Sequence, residues 1–234
     1  MYVAAILTGK LSSPNGNVIH RLRETRACQR RVTVGSMLAA PDAAQYTPAM
    51  SASLPRLVEV PILETERLRL RGHRLDDFPR SAALWADPNV TRHIGGKPFT
   101  EEETWTRFLR CIGHWSLLGF GYWVAEEKAS GDFVGEVGFA DYKRDLKPSL
   151  KGIPEIGWVL ASRAHGRGYA TEATRAVIAW GDAHFQTTRT ACIIDPDNFQ
   201  SIRVAVKCGY RELQATTYKG DPTLLFVRDR SNPI

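Results

Sequence analysis

WVLASRAHGRGYATEATRAVIAWGD, residues Trp158 to Asp182, changes character twice. It begins as the end of an apolar strand, passes through a tight loop carrying Gly166 and Gly168, and continues as an amphipathic helix. Glycines tolerate positive φ, so the loop can turn successive backbone N–H groups toward one point, and the helix that follows adds the positive end of its dipole. Such a turn makes a cradle for an anion, a pyrophosphate above all. Read by itself, it is equally a tight strand-to-helix connection.

A second stretch lies about thirty residues on. Thr190-Ala-Cys-Ile-Ile-Asp-Pro-Asp-Asn198-Phe-Gln-Ser201 reads as a strand ending at Asp195-Pro196 and a helix start, and the helix closes on Lys207-Cys-Gly209-Tyr210. Together the two stretches resemble the GNAT N-acetyltransferase superfamily, in which Q/R-x-x-G-x-G/A holds the pyrophosphate of acetyl-CoA and a later strand leads into an N-x-x-S/A helix. Leu63-Glu-Thr-Glu-Arg-Leu-Arg-Leu-Arg71 and Asp87-Pro-Asn-Val-Thr-Arg92 look like the ribosomal-protein-alanine (RimJ/RimL-like) branch. The resemblance runs from about Leu63 to Arg230. It implies an α/β (α+β) fold, a single domain with a mixed, mostly antiparallel sheet splayed at the cofactor cleft and flanked by helices.

The resemblance also implies roles. Trp158, Val159 and Leu160 would meet the pantetheine through main-chain groups, and the backbone of His165, Gly166, Arg167, Gly168, Tyr169 and Ala170 would cradle the pyrophosphate. Arg163 and Arg167 are expected to add contacts to phosphates. Asn198 is both a helix N-cap and the counterpart of the family asparagine that bonds the pantetheine arm. Ser201 matches the serine proposed as an acid for the departing thiolate. Many members carry a tyrosine seven residues after the asparagine; Ala205 stands there. A thiol of pKa about 8.5 leaves without full protonation, so that loss is survivable.

An amine nucleophile must shed a proton before or during attack. Glu155, on the strand beside the loop, is the first candidate base, and Glu136, inside the apolar run Phe133–Phe139, is its rival. No Cys or Ser sits in a nucleophile elbow or beside a His, so direct attack is expected rather than a covalent intermediate. The acceptor is a protein N-terminus or a small amine. Two rival readings are a non-catalytic acyl-CoA-binding module and a nucleic-acid-binding protein that uses a basic tail.

Composition bounds these readings. The 234 residues are 43% hydrophobic and 24% charged, ordinary values for a globular chain. Met1–Pro41 carries six Lys/Arg against Glu24 alone, so it holds five of the six net positive charges. A basic tail, not a basic domain, raises the pI, and nucleic acid is not an expected partner. Residues 1–55 show little periodicity and read as a disordered extension, with translation from Met50 as one explanation, and 56–234 read as the acetyltransferase domain. The scattered cysteines show no metal-ligand spacing, so no metal is expected and a cytoplasmic location fits. No apolar run is long enough for a membrane span, and a monomer or homodimer is expected.

Local patterns fill in the rest. Thr100-Glu-Glu-Glu103 is a capping box whose helix is expected to bury Trp105, Phe108, Leu109 and Ile112. Tyr122–Glu126 and Phe133–Phe139 form a hairpin around Ser130-Gly-Asp132. Tyr142–Gly152, rich in Lys and Arg, reads as a solvated loop or a substrate rim.

Overall fold

The computed structural model describes residues 58–230. The basic extension and Met50 lie outside the described residues. Eight strands form one sheet: β1 (Leu63–Glu64), β2 (Leu68–Arg71), β3 (Tyr122–Glu127), β4 (Phe133–Ala140), β5 (Glu155–Leu160), β6 (Arg189–Ile194), β7 (Arg211–Tyr218) and β8 (Asp221–Asp229). Their order is β1-β2-β3-β4-β5-β6-β8-β7, with every neighbouring pair antiparallel except β5 and β6. The helices are α1 (Phe78–Ala86), α2 (Pro88–Thr91), α3 (Glu101–Leu118), α4 (Tyr169–His184) and α5 (Phe199–Lys207). The sheet is mixed, mostly antiparallel and open, and helices flank it, as the resemblance implies.

The β5–β6 pair positions everything that follows. A parallel pair needs a crossover, supplied here by α4. The two strands pair at Glu155↔Ala191, supported by the Ala191 N–H to Pro154 carbonyl bond of 3.1 Å, and then diverge. Past that point the facing edge of β5 has no partner strand. Backbone polar groups on an unpaired edge are open to a ligand.

Alternation sorts the side chains to two faces. Trp123, Ala125, Val137, Phe139, Ile156 and Leu160 meet Tyr169, Ala173 and Val177 of α4 in the main core. There Trp115, Trp123 and Trp180 pack edge to face, with centroids 4.6, 5.2 and 5.5 Å apart. Val124 and Val159 face Leu84 and Trp85 of α1 on the opposite side.

Two expectations are corrected. The Thr100/Glu103 capping box is present, but α3 buries Thr104, Phe108, Cys111 and Trp115. Trp105 and Leu109 are exposed at 38% and 47%. The helix turns its 104-108-111-115 stripe inward, and Trp105 lies along its rim, edge-on to Phe78 at 4.8 Å. The segment 142–152 is not a solvated loop throughout, because Leu146 and Leu150 pack on Ala191, Leu225 and Val227.

Candidate active site

Two cavities open on either side of the β5–β6 split, of about 590 and 760 Å³. They share a border of Arg92, His93, Ile94, Trp158, Val159, Asn198 and Ser201.

The smaller cavity is lined by Leu160, His165, Gly166, Gly168, Tyr169 and Ala170, together with Arg203 and Lys207 of α5. Gly166 and Gly168 have φ of +74° and +81°, and Gly168 is the N-cap of α4. The His165 N–H bonds the Ser162 carbonyl, and the next internal bond runs from Glu172 N–H to the Gly168 carbonyl at 3.1 Å. The N–H groups between them have no protein acceptor among the described residues. A 16-residue helix adds its dipole at the same point. Arg67 braces this turn: its Nη1 donates to the Arg167 carbonyl at 2.9 Å and its Nε to Glu172 at 2.7 Å. Unbonded N–H groups, a helix start and two nearby cations suit a pyrophosphate.

The expected arginine contacts are placed elsewhere. Arg163 donates to the Phe133 carbonyl at 2.6 Å, and Arg167 pairs with Glu127 at 2.7 Å. Neither lines a cavity, because each finds an acceptor at the end of the β3–β4 hairpin. Arg203 and Lys207, four residues apart on α5, bring positive charge to the cavity instead. That helical spacing was the available signal for them.

Asn198 accepts the Ser201 N–H on Oδ1 at 3.1 Å as the α5 N-cap, which leaves its Nδ2 for another acceptor. Ser201 Oγ accepts from Trp158 Nε1 at 3.3 Å. Ala205, fully buried in the main core, lines neither cavity.

The larger cavity is lined by Trp85, Arg107, Tyr122, Tyr142, Arg144, Glu155 and Tyr218. Tyr122, Gly138 and Gly157 are cross-strand neighbours on β3, β4 and β5. A Cβ on Gly157 would fall 2.1 Å from the Tyr122 hydroxyl, so this glycine makes room for the ring. The Tyr122 and Tyr142 hydroxyls meet at 3.2 Å. Arg144 lies over both the Tyr142 and Tyr218 rings, 4.5 and 4.7 Å away.

Glu155 lines this cavity, but Arg144 grips both its oxygens at 2.6 and 2.7 Å. Glu136, the rival candidate, is 2% exposed and lines neither of the two cavities. It accepts from Ser81 Oγ at 2.6 Å and Trp85 Nε1 at 3.2 Å, with His73 Nε2 at 3.6 Å. Burial works to raise its pKa; His73, Arg107 and the Ser81 bond outweigh it and hold the carboxyl at about 2. A group so firmly ionised is a poor proton acceptor. With His73 and Cys111 it forms a buried cluster whose ligand-type atoms lie within 4.8 Å, a grouping that sequence spacing did not expose.

His93, too isolated in sequence to assign, sits on the border of the two cavities. Its Nδ1 meets Asp195 Oδ2 at 2.9 Å, across 102 residues of chain. Partial burial works to raise the Asp195 pKa, but the Asp197 N–H and His93 bring it below the usual carboxylate range. In the tautomer with the proton on Nδ1, Asp195 accepts it, and Nε2 has no hydrogen-bond partner among the described residues. Among the described residues the thiols are poor nucleophiles: burial pushes Cys111 up to about 12, Cys192 well above its ordinary value, and Cys208 up as well.

A match to the Acetyltransferase (GNAT) domain family spans residues 67–211. The chain belongs to the GNAT acetyltransferase family. It is 31% identical over 172 residues to the uncharacterised protein YkkB of Bacillus subtilis, covering 73% of this chain and 96% of that protein. The uncharacterised N-acetyltransferase p20 of Bacillus licheniformis is 30% identical over 61% of this chain and 78% of its own length. Among solved structures, a putative GNAT-family acetyltransferase from Bordetella pertussis superposes with a TM-score of 0.64 at 29% identity, covering 72% of this chain and 99% of that one. Among the described residues no helix is long and apolar enough to cross a membrane.

Proposed function

We propose that this acetyltransferase moves the acetyl group of acetyl-CoA to a primary amine by direct attack. The observation that carries the reading is the split sheet with two cavities meeting along His93, Trp158, Val159, Asn198 and Ser201. The glycine turn and the start of α4 hold the pyrophosphate, Arg203 and Lys207 add charge, and Asn198 Nδ2 orients the pantetheine arm. Open N–H groups on β5 polarise the thioester carbonyl as charge develops on its oxygen. His93 Nε2 takes the proton of the attacking amine while Asp195 fixes the ring, and Ser201 Oγ stands beside the departing sulfur. Glu155 serves this chemistry by fixing Arg144 rather than by collecting the proton.

The acceptor, a protein N-terminus or a small amine, enters from the larger cavity. The RimJ/RimL-like look of Leu63–Arg71 and Asp87–Arg92 favours the first. Release of CoA thiol over a panel of amines and N-terminal peptides tests the reading. Amine-dependent release that His93→Ala slows far more than Glu155→Gln does is the expected result. Tight acetyl-CoA binding with no release over the whole panel would favour the non-catalytic binding module, to which the missing tyrosine at Ala205 points.

A further inference from the structure

Arg107 is the unexplained charge of the larger cavity. It projects from α3 into the cavity wall, with its guanidinium carbon 3.8 Å over the Trp85 ring and 5.8 Å from the Tyr122 ring. Its Nε is buried without a hydrogen-bond partner, and among the described residues its guanidinium makes no hydrogen bond or ion pair. Stacking on aromatic faces suits a guanidinium but satisfies none of its five N–H groups. Only Nε is cut off from water; the half-buried guanidinium faces the cavity without a protein acceptor, so its N–H groups are open to one that a ligand supplies.

The groups around it do not fill that role. Burial pushes the pKa of Tyr122 and Cys111 up, so neither offers Arg107 a negative charge, and the Tyr122 and Tyr142 hydroxyls bond each other. Glu136 is the nearby carboxylate, but Ser81, Trp85 and His73 surround its oxygens, and Arg107 donates nothing to it. Of the other two arginines of the wall, Arg144 already holds Glu155, and Arg92 is exposed at the border of the two cavities. Arg107 therefore presents an open fork of N–H groups to the cavity in which the acceptor is expected.

We infer that the acceptor carries a carboxylate as well as its amine, and that Arg107 binds that carboxylate. The inference rests on the acetyl-transfer reading and narrows it to a substrate class. A planar fork matches a carboxylate through paired N–H···O bonds, and the Trp85 ring holds the fork in place. The same cation disfavours polyamines, which would bring further positive charge against it.

The test pairs acceptors that differ only in that group: glycylglycine and its amide, β-alanine and its amide, 6-aminohexanoate and its amide. CoA release is measured with the wild-type protein, Arg107→Lys and Arg107→Met, and acetyl-CoA affinity is measured calorimetrically for each. The wild type is expected to prefer at least one carboxylate over its amide by about 10- to 100-fold in kcat/KM, the range of a charge-assisted pair. Arg107→Met should erase that preference, with the carboxylate losing more than its amide and the difference falling on KM, while acetyl-CoA affinity holds, and Arg107→Lys should keep part of it. Equal use of amides and carboxylates by the wild type would overturn the inference, and that result stands even where Arg107→Met fails to fold. Parallel loss on both members of a pair in Arg107→Met would also overturn it, leaving Arg107 a structural residue. Failure of the wild type to bind acetyl-CoA would instead strike at the acetyl-transfer reading, and the inference would fall with it.

Discussion

On the proposed donor side of the β5–β6 split the wall includes a glycine turn, the first turn of α4 and an unpaired strand edge. On the proposed acceptor side the side chains of Trp85, Arg107, Tyr122, Tyr142, Arg144 and Tyr218 line the cavity beside β5. The contrast follows from what each side must recognise. One diphosphate can be met by main-chain N–H groups in almost any sequence that supplies the turn. An acceptor is selected by particular charges and shapes, which only side chains provide. His93 stands where the two walls join.

Substitutions should separate the two sides. His93→Ala is expected to lower kcat about 10²- to 10³-fold, the range of a lost general base, while leaving acetyl-CoA affinity within about twofold. Stopped-flow kinetics beside calorimetry reads both; a matching loss of affinity would place His93 on the donor side. Glu136→Gln removes a buried charge and should cost on the order of 3 kcal/mol of stability in urea melts at pH 7. The sign with pH is fixed. The folded pKa of about 2 lies below the ordinary 4.5, so the stabilisation is complete above pH 4.5 and drains away as the pH falls toward 2. Glu136→Gln should flatten that acid limb, and an unchanged limb would count against the ionised carboxylate.

Smaller effects sharpen the boundary. Gly157→Ala drives a methyl into the Tyr122 hydroxyl, so acceptor KM should rise about tenfold, in line with an overpacking cost of 1–3 kcal/mol. Acetyl-CoA binding should not change, and a change would show that the two cavities are not separable. Smallest of all, Arg69→Ala breaks the exposed pair with Glu64 and should shift stability by no more than about 0.5 kcal/mol and neither kinetic constant.

What the sequence made legible was local. Gly166 and Gly168 announce a positive-φ turn, Thr100 and Glu103 a capping box, Asn198 an N-cap and Gly209, at φ +83°, a helix end. Each of these depends on residues within a turn of one another, so spacing alone exposes it. The acceptor side depends on pairs far apart in the chain. His93 meets Asp195 across 102 residues, and Glu136 finds Ser81 and Trp85 across more than fifty. No pattern along the chain marks such partners. The arginines show the same limit: Arg163 and Arg167 stood at the motif positions, yet their long side chains follow the nearest acceptors away from the cavity. Arg67, a hundred residues upstream, reaches the turn instead.

Calorimetric titration of acetyl-CoA into the protein, beside its Gly168→Glu variant, addresses the donor site directly. Glutamate at that position would take a backbone conformation that L side chains rarely adopt and would set a carboxylate at the proposed pyrophosphate site. The account predicts micromolar binding by the parent protein and none by a folded variant. Equal binding by the two, or no binding by a folded parent, would contradict it.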